Sequence, residues 1–423
     1  MTDIPQPIYD VIVIGGGAAG MMAALSVKEH HPKYTVIILD RTFELGRKFL
    51  TSGAGRGNLT NVHLEGGPDG FFHGDQSLIR SVFSQYGYRD IVQFFDDLGV
   101  PIYEEKKTSR GKIFPVIDNA KTVRDMLVDR LTEQGVRIVC NTSISSLRKQ
   151  EDTWQVNANN GIYNSQYVIL AAGGRTYPAL GADGSGYELA ASLGHTIIPP
   201  VVVAVPLVSK NALSHFLQGE KMIMQATSVI AGRDMTTAMG DVMFTQYGFS
   251  GPAIFDISHD ISVRTNREHE TDTAVRLSFF PGKTQEEASV LLEHRLVRHA
   301  SLPVSHALWG LFTEKTSGAI CAVAGLPKER LAKDLTAKEK TALATTLTMF
   351  TAPISGTRGW NEGEFTSGGI ETSEIDITSL ESKKAKGLFV AGEILNVDGQ
   401  VGGFNLSWAW STGWIAGTLG GSA

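Results

Sequence analysis

Three glycines near the beginning of the chain have the spacing of a phosphate-binding loop. Gly15, Gly17 and Gly20 form the pattern G-x-G-x-x-G within the stretch VIVIGGGAAGMMAALSV. In this pattern the first glycine allows a tight turn and the second lets a pyrophosphate approach the backbone. The third lets a helix pack closely on a strand. The phosphates then lie at a helix N-terminus, where free N–H groups and the helix dipole stabilise an anion. The spacing therefore indicates a dinucleotide site.

The residues around these glycines have the order that such a site requires. Residues 11–14 form a β-branched run, typical of a buried parallel strand, and residues 18–27 are small and apolar, as in a closely packed helix. A second apolar strand ends at Asp40, twenty residues after Gly20. An acid at this position holds a ribose hydroxyl pair and disfavours the 2′-phosphate that the neighbouring Arg41 would otherwise suggest. An ordinary glycine-rich turn would not need this order, so we expect an ADP-containing nucleotide, as in FAD or NAD.

A polar segment follows at residues 44–61, with the sequence ELGRKFLTSGAGRGNLTN. It is too polar and too rich in glycine for the helix of a second βαβ unit, and it reads as a long loop. Its cations can meet phosphates and its amides can meet ring edges. A solvated surface loop is the alternative. We expect the segment to wrap an extended dinucleotide, with candidate contacts from Arg47, Lys48, Ser52, Gly53, Arg56, Asn58, Thr60 and Asn61.

A similar arrangement of strand, turn and helix occurs at residues 387–417. An apolar strand leads into Gly392 and an acidic turn, and the pair Gly402 and Gly403 then opens a helix. Such glycines let the backbone approach a ligand, and the helix N-terminus stabilises negative charge, such as that on a reduced flavin ring. We expect this segment to fold back beside the first glycine motif and to help bind the same cofactor. The candidate contacts, with those of the first motif, are Gly15, Gly17, Ala18, Ala19, Gly20, Asp40, Arg41, Gly392, Glu393, Asn396, Asp398, Gly402, Gly403, Asn405 and Leu406.

Residues 125–174 supply a third part of the same pattern. They read as a helix, then short strands with turn signals such as NNG, then a buried strand that ends in Ala-Ala-Gly-Gly. A small β-meander before such a strand resembles the flavoproteins that have two dinucleotide-binding domains. The resemblance implies FAD, with the backbone of Ile144 near the adenine and with Ala172 and Gly173 near the diphosphate.

The chain as a whole resembles the BaiN-like flavoproteins, also called the aminoacetone-oxidase-like FAD-binding family. The most specific stretches are GRKFLTSGAGRGNLTN, LAAGGRTYPALGADGSGYELAASLGH and AGEILNVDGQVGGFNLSWAWSTG. The resemblance implies an α/β fold, with a Rossmann-like FAD-binding domain interrupted by a second domain, a non-covalent FAD, and NAD(P)/FAD-dependent oxidoreductase activity. Gly57 stands where the family has a cysteine and Gln246 where it has a histidine, so the roles of those two side chains do not carry over.

The middle of the chain reads as an inserted domain. Pro199 and Pro200 mark its beginning, and we expect an FAD-binding domain at 1–194 and 356–423. The insert at 195–355 forms a substrate or cap domain, β-rich at 201–280 and helical at 281–350. No second G-x-G-x-x-G follows a strand. NADH or NADPH would therefore dock transiently at the flavin, or an organic substrate would reduce the flavin itself.

These observations predict an enzyme that transfers a hydride through flavin N5. The donor is NAD(P)H or a small organic substrate, and the reaction is reduction of a conjugated double bond or oxidation of an amine or amino ketone. Lys48, Asn58, Tyr177 and Tyr247 are the candidates for the flavin face. A flavin-dependent RNA-modifying protein and a non-catalytic FAD-binding sensor are the alternatives.

Composition narrows the partners and the compartment. The net charge is -6 without a long basic block, which argues against nucleic acid as a partner. The two cysteines, Cys140 and Cys321, lie far apart in the sequence. This spacing favours a reducing compartment and argues against a thiolate metal site, so we expect no metal. The first ten residues lack a signal-peptide pattern and no run suits a bilayer, so we expect a cytoplasmic protein with a small-molecule substrate. The oligomeric state is left open.

Overall fold

The computed structural model describes residues 8–106 and 110–421. The prediction about a signal peptide falls mainly on residues 1–7, which lie outside the described residues. Contacts divide the chain into two compact units. Unit 1 comprises the residues up to Pro200 and those from Glu364 onward, and unit 2 comprises residues 201–363.

Both unit boundaries lie a few residues beyond the positions expected from the sequence, 194 and 355. Unit 1 ends at Pro200, although Pro199 and Pro200 lie inside a strand, Ile197–Val203, which pairs with the strand Phe365–Ile370 in a two-stranded sheet. Proline is tolerated in such an edge position because the missing N–H is not needed by a second neighbour.

The described residues form twenty-one β-strands. In chain order they are β1 (Ile8–Ile14), β2 (Val36–Leu39), β3 (Thr60–Asn61), β4 (Phe72–His73), β5 (Ile102–Glu104), β6 (Lys112–Pro115), β7 (Arg137–Val139), β8 (Ile144–Gln150), β9 (Thr153–Ala158), β10 (Gly161–Leu170), β11 (Ile197–Val203), β12 (Leu207–Val208), β13 (Lys221–Ile230), β14 (Arg233–Thr245), β15 (Gly248–Ser250), β16 (Thr273–Ser278), β17 (Phe350–Pro353), β18 (Gly356–Thr357), β19 (Phe365–Ile370), β20 (Leu388–Val390) and β21 (Asp398–Gly399).

The same residues form twelve α-helices. They are α1 (Ala18–His30), α2 (Gln76–Gln85), α3 (Tyr88–Asp97), α4 (Ala120–Glu133), α5 (Ser185–Ser192), α6 (Ala212–Phe216), α7 (Pro252–Ser262), α8 (Gln285–Arg298), α9 (Val304–Ala307), α10 (Glu314–Val323), α11 (Ala337–Thr348) and α12 (Phe404–Gly417).

Unit 1 is built on a seven-stranded sheet in the order β7-β2-β1-β10-β9-β8, with β20 beside β10. The strands β7, β2, β1, β10 and β20 are parallel, and β9 and β8 complete an antiparallel meander with β10. The strand β2 and residues 11–14 of β1 are buried throughout, as their continuous apolar runs require. The expected Rossmann-like α/β class is confirmed.

The helices α1 and α12 pack against each other through glycine. A Cβ at Gly413 would overlap the carbonyl oxygen of Ala19, and one at Gly417 would lie 2.5 Å from the carbonyl oxygen of Ala23. The Ser26 hydroxyl, on α1, also donates to the Trp414 carbonyl at 2.6 Å. The apolar segment near the end of the sequence is therefore central to unit 1, because it covers the helix that follows the first glycine motif.

Unit 2 has its own apolar core and a seven-stranded sheet in the order β17-β16-β13-β14-β15-β12-β18. Its longest hairpin joins β13 to β14 through Ala231 and Gly232, both with positive φ, as a tight hairpin turn requires. The segment expected to be β-rich also contains the helix α7. The segment expected to be helical contains four helices, α8 to α11, separated by short loops.

None of the described helices has the length and apolar character needed to cross a lipid bilayer.

Candidate active site

The first glycine motif lies at the carboxyl edge of the sheet in unit 1. Gly15 has a φ of +98°, and a Cβ there would overlap the Ala171 carbonyl oxygen. A Cβ at Gly20 would overlap the Gly15 carbonyl oxygen, whereas one at Gly17 would meet no atom within 4 Å. Gly17 is also the N-cap of α1 and provides no capping side chain. The motif thus combines a close helix contact with open space at a helix N-terminus, which is the geometry that accepts a pyrophosphate.

The strands β1, β10 and β20 end side by side at this edge. The Ala171 N–H donates to the Ile14 carbonyl at 2.9 Å, and the Ala391 N–H donates to the Leu170 carbonyl at 3.1 Å. Ala172 and Gly173, which follow β10, and Gly392, which follows β20, therefore lie at the same edge as the first motif. A Cβ at Gly392 would approach the Ala19 Cβ to 2.8 Å. The structure thus brings these residues together with the first glycine motif, and their placement beside a diphosphate stays a prediction.

Asp40 is buried at the end of β2, and donors of the protein occupy most of the acceptor positions of its carboxylate. The Gly16 N–H donates to Oδ2 at 2.6 Å, while the N–H and hydroxyl of Thr42 donate to Oδ1 at 2.7 and 2.6 Å. A carboxylate has about four acceptor positions, so one remains on Oδ2 for a ribose hydroxyl. Asp40 thus also shapes the glycine turn, a role that its spacing does not reveal.

Ile144, the expected adenine contact, begins β8 close to Asp40. The Thr142 N–H donates to the Asp40 carbonyl and the Asn141 N–H donates to the Thr42 carbonyl, both at 2.8 Å. The register of β8 against β9 shifts directly after Ile144. The backbone of this segment therefore runs beside the nucleotide end of the motif.

The two arginines nearest the motif are engaged with the protein. Arg41 forms an ion pair with Asp183. Arg47 donates from Nη1 to the Ala179 carbonyl at 2.7 Å, and its guanidinium lies 4.7 Å from the centre of the Phe43 ring. Both side chains bind the loop around residues 179–183, so their predicted contacts with a cofactor compete with these bonds.

The polar loop after β2 is a distorted 3-10 segment, Phe49–Gly55, rather than an irregular coil. Gly53 and Ala54 both have left-handed backbone conformations, with φ of 56° and 59°. A Cβ at Gly53 would lie 2.5 Å from the Phe114 ring. The Ser52 hydroxyl oxygen and the Asn58 carboxamide oxygen are buried, and neither has a hydrogen-bond partner among the described residues. Two orphaned acceptors on one strained loop indicate that a polar ligand completes this part of the molecule.

The helix α12 brings a second uncapped N-terminus to the same loop. Its N-cap is Gly403, with a φ of +106° and no capping side chain. A Cβ at Gly403 would overlap the Thr60 carbonyl oxygen and lie 3.0 Å from Asn58 Oδ1. The glycine is therefore required by close packing, and the orphaned oxygen of Asn58 lies directly at the helix start.

Several predicted contacts near α12 have side chains occupied elsewhere. Asn405 accepts from the Gly399 N–H at 2.9 Å and donates to the Gly399 carbonyl at 2.7 Å. The Thr60 hydroxyl lies 2.8 Å from that of Ser407. The Asp398 side chain is buried within β21, beside β4. The Asn405 side chain binds the turn before α12, and the Thr60 side chain binds α12 itself. For these two residues the predicted cofactor contact is therefore limited to their backbone atoms.

Leu406 and Asn396 occupy less constrained positions. Leu406 is half-buried and packs on the core of unit 1 from the first turn of α12. Asn396 is half-buried, and its N–H donates to the Ile370 carbonyl at 3.0 Å. The structure places both in segments that border the glycines of the second motif.

Lys48 and Glu393 form a half-buried ion pair that joins three loops. The Lys48 ammonium donates to Glu393 Oε2 and to the Thr176 hydroxyl, each at 2.7 Å. Glu393 Oε1 accepts from the Thr366 N–H at 2.8 Å. A Cβ at Gly174 would lie 2.8 Å from the Glu393 carboxyl carbon. The ion pair therefore fixes the polar loop, the loop after β10 and the loop after β20 relative to one another.

Tyr177 and Glu364 lie next to this ion pair, and the sequence singled out only the tyrosine. Tyr177 has a left-handed backbone, with a φ of 56° that is unfavourable for a bulky side chain. Its hydroxyl lies 3.5 Å from Glu364 Oε1. Burial, together with the charge of Glu364, raises the pKa of Tyr177 to about 12. Burial also raises the pKa of Glu364, although the nearby charges of Lys48 and Lys112 oppose this effect.

No local signal marks Glu364 in the sequence, since it lies in a short polar stretch before β19 that reads as a linker. Tyr247, the fourth candidate for the flavin face, belongs to unit 2. Its ring lies 4.7 Å from the Arg358 guanidinium carbon. Its assignment to the flavin face stays a prediction.

Unit 1 thus has the features that a bound dinucleotide with a polar ring system requires. It provides two uncapped helix N-termini, at Gly17 and Gly403, and open space at the first. It also provides the orphaned acceptors of Ser52 and Asn58, which suit N–H or hydroxyl donors of a ligand. These residues fit FAD.

Comparison with known proteins agrees with this geometry. A model of the HI0933-like protein Rossmann domain matches residues 9–419. The chain is 30% identical to the 3-dehydro-bile acid delta(4,6)-reductase of Clostridium scindens over 406 residues, which cover 96% of this chain and 97% of the relative. It is 28% identical to the ribosomal RNA dihydrouridine synthase of Escherichia coli, covering 96% of each.

Among solved structures, E. coli quinol fumarate reductase FrdA has a TM-score of 0.50 at 14% identity, covering 97% of this chain and 69% of that one. This likeness concerns the fold alone. The sequence matches carry more, since the family model and the Clostridium scindens relative each cover nearly the whole chain and the relative is 30% identical. The expected family, cofactor and enzyme class are thereby confirmed: this protein is an FAD-dependent oxidoreductase, and it belongs to the HI0933-like family.

Proposed function

We propose that this enzyme uses NAD(P)H to saturate a carbon–carbon double bond conjugated to a carbonyl group in a small organic substrate. The observation that carries the proposal is the half-buried phenol of Tyr177, which has a raised pKa and is held in a strained backbone conformation beside the ion pair of Lys48 and Glu393. Strained residues cluster at functional sites, where the surrounding structure enforces them.

The names of two relatives support this reaction type. One is a delta(4,6)-reductase of a 3-dehydro-bile acid, and the other produces dihydrouridine in ribosomal RNA. Each name denotes the addition of two hydrogens across a double bond. In each case that bond lies in a system that contains a carbonyl group, which would hold the negative charge left by hydride addition.

Bound FAD would supply the hydride chemistry, accepting a hydride from the nicotinamide and giving one to the substrate. The chain's part begins with binding. The N-termini of α1 and α12 stabilise negative charge, and Asp40 offers its remaining acceptor position to a ribose hydroxyl. The orphaned oxygens of Ser52 and Asn58 accept from ligand donors.

Tyr177 supplies the proton that balances the hydride. Reduction of the double bond consumes one hydride and one proton, and the second must reach the carbon next to the carbonyl group. A phenol with a pKa of about 12 is protonated at neutral pH, so its hydroxyl is available as a donor. The proton leaves Tyr177 Oη, and the phenolate then regains a proton.

Lys48 and Glu393 hold the frame in which this transfer occurs. Each is half-buried, and the pair connects loops that also carry Thr176 and Thr366. Removing one partner would leave the other charge poorly solvated, which costs much more than an exposed ion pair is worth. We therefore assign the pair to positioning rather than to proton transfer.

The test is an anaerobic spectrum of the purified flavoprotein before and after addition of NADH or NADPH, followed by a conjugated enone. We expect bleaching by one nicotinamide and recovery of the oxidised spectrum on addition of the enone. Bleaching by amines or amino ketones, with no response to either nicotinamide, would overturn the proposal in favour of an amine oxidase.

The variant Tyr177→Phe tests the assigned donor. General acid catalysis typically contributes about 10²–10⁴-fold, so we expect a loss of that order in enone reduction with flavin reduction by NAD(P)H retained. Tyr163→Phe is the matched control, because its hydroxyl donates to Asn160 Oδ1, on the meander of unit 1. Equal rates for wild type and Tyr177→Phe would refute the assignment.

A second candidate substrate is uridine in ribosomal RNA. Two relatives, 28% and 26% identical to this chain, are named ribosomal RNA dihydrouridine synthases. The reaction type is the same, but RNA binding by a chain of net charge -6 would require a local basic surface. Salt-sensitive binding of ribosomal RNA, with dihydrouridine formed in the presence of NAD(P)H, would favour this candidate over a small molecule.

A further inference from the structure

The surroundings of Glu364 differ from those of the other acidic residue at the site. The Lys48 ammonium group donates hydrogen bonds to Glu393 Oε2 and to the Thr176 hydroxyl, each at 2.7 Å, so its charge compensates that of Glu393 directly. Glu364 has the phenol of Tyr177 as its polar neighbour at 3.5 Å, and the charges of Lys48 and Lys112 lower its pKa without overcoming the effect of burial. Glu364 is therefore a half-buried carboxyl whose charge is incompletely compensated.

Two hydrogen bonds join the segments that carry Tyr177 and Glu364. The Thr176 hydroxyl lies 3.2 Å from the Glu364 carbonyl oxygen, and the Arg175 N–H donates to the Thr366 hydroxyl at 2.8 Å. The two residues that precede Tyr177 are thus bound to the segment that begins at Glu364. These bonds between main chain and threonine hydroxyls hold the carboxyl and the phenol close together.

We propose that Glu364 is a positioning residue that acts through Tyr177: it orients the phenol and returns a proton to Tyr177 Oη after the phenol has protonated the substrate. The inference rests on the proposed function and extends it to the control of that site by pH. A distance of 3.5 Å is long for an O–H···O bond, and such contacts commonly shorten in the reacting complex.

The proton balance is simple. As Tyr177 Oη gives its proton to the substrate carbon, the Glu364 carboxyl gives its own proton to the same oxygen, and solvent later reprotonates the carboxylate. The hydride comes from NAD(P)H, so the substrate gains two electrons and two hydrogens. If Glu364 is already ionised, the new phenolate would face a carboxylate, and this repulsion opposes the transfer.

The first test compares the pH dependence of enone reduction. Since burial raises the pKa of Glu364, the wild-type rate should fall as pH rises through that pKa. Glu364→Gln should lower kcat roughly tenfold to a hundredfold and remove this alkaline decline, and Glu364→Asp should restore part of both. Glu188→Gln, on the exposed face of α5, is the matched control and should behave as wild type. An unchanged pH profile in Glu364→Gln would overturn the inference.

A second readout is independent of turnover. In protein labelled with ¹³C at the tyrosine ring, NMR can follow the ionisation of Tyr177, whose signal is identified by its loss in Tyr177→Phe. Because the charge of Glu364 contributes to the raised pKa of Tyr177, Glu364→Gln should lower that pKa by roughly one pH unit. The same pKa in both proteins would show that the groups are uncoupled and would refute the relay.

The two failures are distinguishable. If no enone is reduced but the pKa of Tyr177 responds to Glu364→Gln, the coupling stands and the proposed substrate class is wrong. If enones are reduced and neither the pH profile nor the pKa responds, the proposed function stands and Glu364 has no part in it.

Discussion

The contact between α1 and α12 offers the most direct test of how the fold supports the site. Gly413 lies where the two helices cross, and the change to test is Gly413→Ala. The added Cβ would overlap the carbonyl oxygen of Ala19 and lie 3.0 Å from the Met22 Cβ. A backbone oxygen cannot rotate away, so the helices must separate.

The cost of this separation follows from two opposing effects. Overpacking a close contact costs about 1–3 kcal/mol, and a clash with backbone places Gly413→Ala near the upper value. Alanine gains back about 1 kcal/mol over glycine through its helix propensity. We therefore expect a net destabilisation of about 2 kcal/mol, which lowers the Tm of unit 1 by roughly 4–8 °C. The displaced N-terminus of α12 should also weaken FAD binding.

Calorimetry of the FAD-free protein measures the first effect, and titration with FAD measures the second. Gly318→Ala is the matched control, because Gly318 is an exposed residue within α10 whose added Cβ would meet nothing within 4 Å. This control should keep or slightly raise the stability. If Gly413→Ala were as stable as the control and bound FAD equally well, the helix contact would not be the constraint that we infer.

Two further variants separate FAD binding from stability, and a third tests how stability depends on pH. In Gly17→Ala the added Cβ meets open space, so the stability of the FAD-free protein should change by less than about 0.5 kcal/mol. FAD binding, measured by fluorescence titration, should weaken at least about tenfold. Equal affinities of variant and wild type would refute the pyrophosphate assignment. Asn58→Leu should leave the FAD-free protein at least as stable as wild type, because the unpartnered carboxamide oxygen is removed. FAD binding should weaken by roughly 1–3 kcal/mol. Unchanged affinity would show that Asn58 does not contact the cofactor. Burial lowers the pKa of His195, so the unfolded chain binds this proton first and the free energy of unfolding should decrease as pH falls below about 6.5. His195→Gln should reduce that slope in denaturant titrations, and an unaltered slope would assign it to other groups.

The basis of the His195 prediction is a fully satisfied buried cluster. Its Nδ1 lies 3.0 Å from Glu374 Oε2 and its Nε2 lies 2.8 Å from the Ser382 hydroxyl. That hydroxyl already accepts from the N–H groups of Lys384 and Ala385, at 3.1 and 2.9 Å. It can therefore only donate to Nε2, which leaves the proton of neutral histidine on Nδ1, facing Glu374. A second proton would force two donors together.

Local patterns in the sequence predicted the parts of the site that depend on local structure. The glycine spacing, the strand before it and the helix after it follow from the requirements of a single βα turn, and the structure has them within a few residues. The glycine pair at 402 and 403 is likewise explained by one helix start. Such features are readable because neighbouring residues impose them on one another.

Features that depend on distant segments were not readable. Glu364 matters because the loop after β10 brings Tyr177 to it, and residues 177 and 364 are far apart in sequence. Asn405 looked like a ligand but binds the Gly399 backbone, since a carboxamide serves a turn and a cofactor equally well. The proline pair predicts a boundary, and unit 1 ends at Pro200, but the pattern did not show that both prolines lie inside a strand that pairs with residues 365–370. In each case the deciding contact lies outside the local pattern.

The position of α12 has a consequence for how the protein is made. Unit 2 is one continuous stretch, residues 201–363, and all of its residues leave the ribosome before α12 does. The proposed FAD site combines Gly17 with Gly403, and α1 lacks its partner helix until residue 417 has been synthesised. Domains generally fold as units during synthesis. Unit 2 can thus form while the proposed FAD site in unit 1 is still incomplete, and cofactor capture becomes one of the last events in biogenesis. We expect chains interrupted before α12 to lack the helix N-terminus at Gly403 and to retain less flavin than the full chain.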